Sequence, residues 1–328
     1  MDIVVDIIYS VAIFFILMIP GIILKNAKMA DGSIGKGLSN LVLYIAQPAL
    51  IFVSYLRDFS LEILINAAYV LVLSLVVHVI FTLLSRLAYK KAPDKMRRML
   101  EFATIFSNAA FMGIPLIAAV LEDSYPGAVL YASIYNISFN LFLWSVGVMI
   151  CTEGRDKNSN GVDDSREIKS LSSGIVKALT HPVSIAAYLG LIVFCLSLHS
   201  YIPDIITDTL GRLKELVAPL SMIVLGFRFT DVDFKRVLKD KFMYLFLLAR
   251  HIVLPLIALG IMKLLILIGL PIADVVVKAI VIMASAPAAT SATMFAEKYD
   301  CDSAYVSGLV AVSTLVSIVT MPLIMILA

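Results

Sequence analysis

Ten apolar runs, each about as long as the hydrocarbon core of a bilayer is thick, dominate this sequence. A helix rises about 1.5 Å per residue and needs about 20 apolar residues to cross that core. Hydrophobic residues make up 61% of the chain, against roughly 45–50% in a soluble domain. The sequence therefore predicts an all-α polytopic membrane protein with ten transmembrane helices. We number the predicted spans 1 to 10: residues 3–24, 38–56, 63–87, 102–121, 128–150, 175–198, 216–229, 242–270, 275–295 and 305–327.

The distribution of Lys and Arg predicts how the chain is oriented. Twenty of the 26 basic residues lie in alternate loops, and only five lie at the opposite ends of the spans. Because basic loops are retained in the cytoplasm, both termini are expected outside a cell membrane. The first apolar run has neither a basic n-region nor a cleavage site, so we expect it to remain as span 1. The twenty lie at positions 25–36, 86–98, 155–177, 228–241 and 298.

The polar stretch 152–173 divides the ten spans into five and five. It is rich in charge, Ser, Gly and Asn, and is expected to be a cytoplasmic linker between repeats at 1–151 and 174–328. Five is an odd number, so the two halves begin on opposite sides of the membrane, the condition for an inverted repeat. The prolines support this pairing. Pro48 precedes Pro115 by 67 residues, and Pro219 precedes Pro287 by 68.

Spans 4 and 9 carry signals for a broken helix. Span 4 contains an Asn, a Gly and a Pro within residues 106–116, and the proline of span 9 is followed by small polar residues. Two broken helices in corresponding halves indicate a secondary transporter's binding site, and half-helix N-termini favour an anion such as a carboxylate. The alternative is that the polar side chains only satisfy backbone groups freed by the prolines. The candidate substrate-binding residues are Asn108, Gly113, Pro115, Pro287, Thr290 and Ser291.

Arg250 and His78 are candidates for a charge or coupling role. Arg250 is the only basic residue well inside a span, about 12 Å from the end of span 8. It suits an anion carrier, although an interfacial anchor or a cap for carbonyl groups explains it equally well. His78 could carry a proton, but a lone histidine in a helix is more often packed. No Asp or Glu lies near the middle of a span, so the coupling ion stays open.

Several function classes are disfavoured. The sequence has no HExxH, GxSxG or P-loop motif and no paired Asp within its spans, which argues against an intramembrane protease or an ATP-driven pump. Cys151, Cys195 and Cys301 are scattered without metal-ligand spacing. We therefore predict no enzyme activity, no catalytic residues, no metal and no cofactor. The basic loops follow from topology and do not indicate nucleic acid.

Four short motifs resemble the auxin efflux carrier family, which contains plant PIN-type carriers and prokaryotic malate and malonate permeases. Residues 108–116 are similar to the family's N-x-x-x-M-G-I-P-L, and Arg250 with Pro255 to its R-x4-P. Pro287 with residues 295–299 is similar to P-x7-F-A-K-E-Y, and Pro322 completes the set. The likeness covers both halves of the chain.

This resemblance implies a ten-helix inverted repeat in which spans 4 and 9 are broken and cross each other. It implies a homodimer formed by a scaffold of spans 1, 2, 6 and 7, with an elevator-like movement of spans 3–5 and 8–10. The family's asparagine in span 4, which contacts the substrate carboxylate, matches Asn108. Two departures are Ala292, where plant members have a further proline, and the short linker, which looks prokaryotic.

The sequence therefore predicts a secondary transporter in the lipid bilayer for small organic anions, such as malate, malonate or auxin-like acids. A sodium-coupled symporter or sodium/proton antiporter of related crossed-helix fold is the alternative. Such proteins are expected to carry carboxylates at the middle of the membrane, and the spans have none. A receptor or channel is a third interpretation.

Overall fold

The computed structural model describes residues 2–29, 32–153, 171–230, 232 and 234–328. In this part of the chain every regular element is a helix. The predicted linker at 152–173 lies, for residues 154–170, outside the described residues. A short 3₁₀ helix spans Leu198–Tyr201. The longer helical elements are α1 (Asp2–Asn26), α2 (Ser33–Ser54), α3 (Leu61–Ala88), α4 (Asp94–Ile105), α5 (Ala109–Val120), α6 (Ala128–Thr152), α7 (Leu171–Leu179), α8 (Pro182–Cys195), α9 (Asp204–Lys214), α10 (Val217–Phe229), α11 (Phe234–Leu238), α12 (Lys241–Leu267), α13 (Asp274–Ser285), α14 (Ser291–Lys298) and α15 (Ser303–Leu327).

Six of these helices are long and apolar enough to cross a membrane: α1, α2, α3, α6, α12 and α15. They correspond to predicted spans 1, 2, 3, 5, 8 and 10. The chain is therefore a polytopic membrane protein, as its apolar runs predict. Large apolar side chains such as Ile8, Ile16 and Ile23 are exposed along α1, which suits them to contact lipid.

Of the other four predicted spans, three are divided into two helices, and span 7 is one short helix. Span 6 is interrupted at residues 180–181, because the residue before Pro182 takes an extended conformation that cannot continue α7. Span 7 is α10, but a further helix, α9, precedes it and extends the helical region back to Asp204. Span 4 consists of α4 and α5 and begins at Asp94, earlier than the apolar run suggests. Span 9 consists of α13 and α14.

Three of the prolines inside the spans are accommodated by a widened helical turn. Five-residue π turns at Val42–Ala46, Ala109–Gly113 and Ala249–Val253 each end two residues before a proline. These prolines are Pro48, Pro115 and Pro255. A proline has no N–H and its ring clashes with the preceding turn, so one extra residue in that turn relieves the clash without ending the helix.

The helices α1 and α10 pack closely against each other. A Cβ atom placed on Gly21 would lie 2.1 Å from the Ile223 carbonyl oxygen, and one on Gly226 would lie 2.0 Å from the Met18 carbonyl oxygen. The two backbones therefore touch, as small residues allow in membrane helices. Elsewhere α2 packs on α8, α3 on α6, and α13 against α6, α12 and α15.

Candidate functional site

The two helix breaks lie side by side and pair through their backbones. Residues 106–108 separate α4 from α5, and residues 286–290 separate α13 from α14. Ser107 and Ala288 form an antiparallel bridge. The Asn108 N–H donates to the Pro287 carbonyl at 2.6 Å, and the Ala289 N–H donates to the Phe106 carbonyl at 2.9 Å. Four helix ends therefore meet in one place: the C-terminal ends of α4 and α13 and the N-terminal ends of α5 and α14.

The two breaks have different origins. Pro287 lacks an N–H and prevents α13 from continuing. Residues 106–108 contain no proline, and α4 ends because the Asn108 N–H bonds to the other break. Gly113 and Pro115 lie beyond the break, inside α5. Gly113 lets α13 come close, because a Cβ there would lie 2.7 Å from the Met283 sulfur.

Arg250 occupies the C-terminal side of the breaks. Its side chain is fully buried. Nε donates to the Ala286 carbonyl at 3.0 Å, Nη1 to the Thr104 carbonyl at 3.0 Å, and Nη2 to the Ala284 and Ala286 carbonyls at 2.9 and 2.5 Å. In continuous helices Thr104 and Ala284 would accept from the N–H groups four residues later, which bond elsewhere here. Arg250 thus satisfies carbonyls from both broken helices and offsets the negative ends of their dipoles.

The N-terminal side of the breaks offers hydrogen-bond donors. Among the described residues, no side chain caps the first turn of α5 or of α14, so orphan N–H groups and partial positive charge remain there. Asn108 is only 2% exposed, and its Nδ2 has no hydrogen-bond partner among the described residues. The Ser291 hydroxyl, at the start of α14, also has none in that part of the chain, and the adjacent Thr290 is buried. This combination is suited to holding an anion.

Two further groups at the breaks were not among the predicted site residues. The fully buried Gln47 donates from Nε2 to the Ala110 carbonyl at the start of α5, and its Oε1 has no partner in the described structure. Its position directly before Pro48, in the middle of an apolar span, is the signal that could have indicated it.

The second group stabilises the break in span 9 through hydrogen bonds from two other helices. The Ser313 hydroxyl accepts from the Ala288 N–H at 2.9 Å and hydrogen-bonds His251 Nε2 at 2.8 Å. The other ring nitrogen of His251 lies 3.0 Å from the Thr320 hydroxyl. These residues come from α12 and α15, so nothing local in the sequence relates them to Pro287.

His78 is placed differently from the other candidates. It is buried in α3, where Nδ1 lies 2.7 Å from the Ser74 carbonyl oxygen. Its ring centroid lies 5.2 Å from those of Tyr135 and Phe142. Its described contacts are thus to its own helix and to the aromatic face of α6, while Asn108, Pro287, Thr290, Ser291 and Arg250 gather at the breaks.

Comparison with known proteins identifies the family. Residues 6–325 match the family described as "Membrane transport protein". The chain belongs to this family. The resemblance to the auxin efflux carrier family is thereby confirmed. The family consists of membrane transporters, so this protein is a multi-pass membrane protein of a transporter family, not an enzyme family.

Three relatives show how far the similarity extends. An uncharacterized transporter of Methanothermobacter thermautotrophicus is 26% identical over 314 residues, which cover 94% of each chain. An uncharacterized transporter of Methanocaldococcus jannaschii is 24% identical over 220 residues, covering 66% of this chain and 67% of its own. The lysosomal cholesterol signaling protein of Mus musculus is 24% identical over 260 residues, which cover 76% of this chain and 29% of its own.

In this family member a cavity of about 390 Å³ lies beside α5. Pro115, Ala118 and Glu122 line one wall, and Ser54 and Arg57 belong to the wall formed by α2 and the residues after it. Arg57 Nη2 donates to Glu122 Oε1 at 2.8 Å, so an ion pair joins the two walls. Pro115 is the predicted site residue that lines this cavity.

Proposed function

We propose that this member of the membrane transport protein family is a secondary transporter of small organic anions, such as malate, malonate or auxin-like carboxylates. The observation that carries the proposal is the asymmetry of the paired breaks. Their carbonyl ends are occupied by Arg250. In the described structure the opposite side presents helix N-termini without a side-chain cap, beside Asn108 Nδ2, which has no hydrogen-bond partner there.

The electrostatics of this arrangement favour a negative ligand. Each helix N-terminus is equivalent to about half a positive charge, and the guanidinium cancels the opposing negative ends. The potential at the break is therefore positive, in surroundings with little water to screen it. A substrate carboxylate would accept from Asn108 Nδ2, from orphan N–H groups and from the Ser291 and Thr290 hydroxyls. Gly113, Pro115 and Pro287 would shape the backbone around it.

We further propose an elevator mechanism in a ten-span, five-plus-five inverted repeat. Packing of α1, α2, α8 and α10 with one another supports a scaffold made from spans 1, 2, 6 and 7. Packing of α3, α6, α12, α13 and α15 supports a second unit that carries the breaks. We place the homodimer interface on the scaffold, and both termini outside the cell membrane because of the basic loops.

Counterflow in proteoliposomes tests the proposal. Vesicles are loaded in turn with malate, malonate or indole-3-acetate, and uptake of the same labelled anion is measured. Asn108→Ala should lower the exchange rate at least tenfold, because a lost hydrogen bond to a charged group is worth about 1.5–3 kcal/mol. Asn66→Ala is the matched control, since Asn66 is as buried as Asn108 but lies in the second turn of α3.

Exchange of one anion by the wild type and by Asn66→Ala, with loss in Asn108→Ala, supports both the carrier function and the site. Absence of exchange for every anion contradicts the proposed substrate class. Full activity in Asn108→Ala contradicts a binding role for that amide.

A further inference from the structure

Arg250 stands where carbonyl oxygens from two broken helices converge. Three carbonyls, from Thr104, Ala284 and Ala286, accept four hydrogen bonds from its guanidinium within 2.5–3.0 Å. Carbonyl oxygens at the C-terminal ends of broken helices are the ligands with which secondary transporters coordinate Na⁺. In this chain the guanidinium of Arg250, a covalently attached cation, already donates hydrogen bonds to these carbonyl oxygens.

We infer that Arg250 is a tethered counter-ion, which fills the carbonyl site of a coupling cation and so makes anion transport independent of sodium. The inference rests on the proposed anion-carrier function. A tethered cation cannot dissociate, so it supplies the same positive charge to the break on either side of the membrane. A dissociable ion would instead have to bind and leave in every transport cycle.

The planar guanidinium suits this task. Its donors spread over several directions, and Nε, Nη1 and Nη2 all reach carbonyls here. A buried unpaired charge is costly in the middle of a membrane, but these bonds and a substrate carboxylate together offset the cost. Arg250 therefore acts as a positioning residue for the two helix ends and as a fixed charge for the anion.

The first experiment compares exchange in different media. Counterflow by the wild type is measured in sodium, potassium and N-methylglucamine salts of the same anion. Equal rates, within twofold, are expected. A strict requirement for sodium would overturn the inference, because a free cation would then be performing the coupling.

The second experiment removes the tether. Arg250→Ala should lower exchange at least tenfold, and low-millimolar methylguanidinium or sodium should restore it severalfold by occupying the vacated carbonyls. The matched control is Arg212→Ala, which removes the same side chain from an exposed position in α9. It should exchange like the wild type and not respond to either cation. Wild-type activity of Arg250→Ala in the absence of both added cations overturns the inference.

A third readout needs no substrate. Methylguanidinium should raise the melting temperature of purified Arg250→Ala and leave the wild type unchanged, since a ligand stabilises only a protein that has a site for it. If the wild type exchanges no anion but this stabilisation occurs, the proposed substrate class fails and the cation site stands. Absence of both rescue and stabilisation overturns the inference.

A second pair of variants covers failure of Arg250→Ala to fold. Arg250→Lys keeps the charge, and Arg250→Gln keeps much of the length without it. The inference requires faster exchange by the Lys variant than by the Gln variant. Equal rates, or a faster Gln variant, overturn it.

Discussion

At the scale of single residues, the buried polar side chains near the breaks are matched to backbone groups that the breaks release. Arg250 donates hydrogen bonds to carbonyl oxygens, Ser313 accepts one from the Ala288 N–H, and Gln47 donates one to the Ala110 carbonyl. A backbone group left without a partner in hydrocarbon costs several kcal/mol, so an interrupted membrane helix needs such side chains. These residues support the breaks next to which we propose the binding site.

The first stability prediction concerns Ser313. Ser313→Ala leaves the Ala288 N–H and one nitrogen of His251 without their partner, which should destabilise the fold by about 1–3 kcal/mol. Ser317→Ala is the control, because Ser317 is equally buried on the same helix and donates to its own helix at the Thr314 carbonyl. Thermal unfolding in detergent should show a clearly larger loss for Ser313→Ala. Equal melting temperatures would contradict the support role.

At the scale of helices, the α1–α10 contact depends on two glycines that face each other's backbone. The atoms opposing Gly21 and Gly226 are carbonyl oxygens of the facing helix, which cannot rotate away as a side chain end can. Any added side chain must therefore separate the two helices. This makes the pair a rigid part of the proposed scaffold.

We predict that Gly226→Ala is strongly destabilising in spite of the better helix propensity of alanine. The new Cβ would overlap the Met18 carbonyl oxygen, and overpacking of this kind costs about 1–3 kcal/mol or more. Gly260→Ala is the control, because in the described structure no atom from another helix lies within 4 Å of its Cβ position in α12. Melting curves of the two variants should diverge, with Gly260→Ala close to the wild type. A stable Gly226→Ala would mean that the two helices can part at little cost.

At the scale of the whole molecule, polar contacts from α2 and the residues after it reach the unit that carries the breaks. Gln47 bonds to Ala110, Tyr55 lies 2.8 Å from the Ser133 hydroxyl, and Arg57 pairs with Glu122. An elevator movement of one unit past the other has to break these contacts in each cycle. The Arg57–Glu122 pair is partly exposed, so it should contribute only about 1 kcal/mol.

Arg57→Gln should therefore shift the conformational equilibrium by about fivefold without unfolding the protein. In a background without native cysteines, Ala118→Cys reports on the cavity beside the pair. We expect an impermeant maleimide to label it severalfold faster when Arg57 is replaced. Lys278→Gln is the control, since Lys278 pairs with Asp274 on its own helix and donates to the Tyr125 hydroxyl, and both partners belong to the unit that carries the breaks. Unchanged labelling in Arg57→Gln would show that the pair does not hold the two walls together.

The features that could be predicted from the sequence are those that depend only on the chemistry of neighbouring residues. The apolar runs of spans 1, 2, 3, 5, 8 and 10 became continuous helices, because length and hydrophobicity alone decide that a helix can cross a bilayer. The break in span 9 follows from Pro287, whose missing N–H is a property of the residue itself. The motifs around Asn108 and Pro287 were also sufficient to indicate the family.

Tertiary structure decided which distant backbone groups the residues at the breaks bond to. Residues 106–108 form a break without a proline, because the Asn108 N–H finds its partner in the other break, 179 residues further along the chain. The sequence offered Arg250 as a charge for an anion or as a cap for carbonyl groups, but its partner Thr104 is 146 residues away. Such partners depend on which distant segments pack together. The sequence therefore determined the six continuous spans and the break at Pro287, whereas packing determined how the two breaks pair with each other.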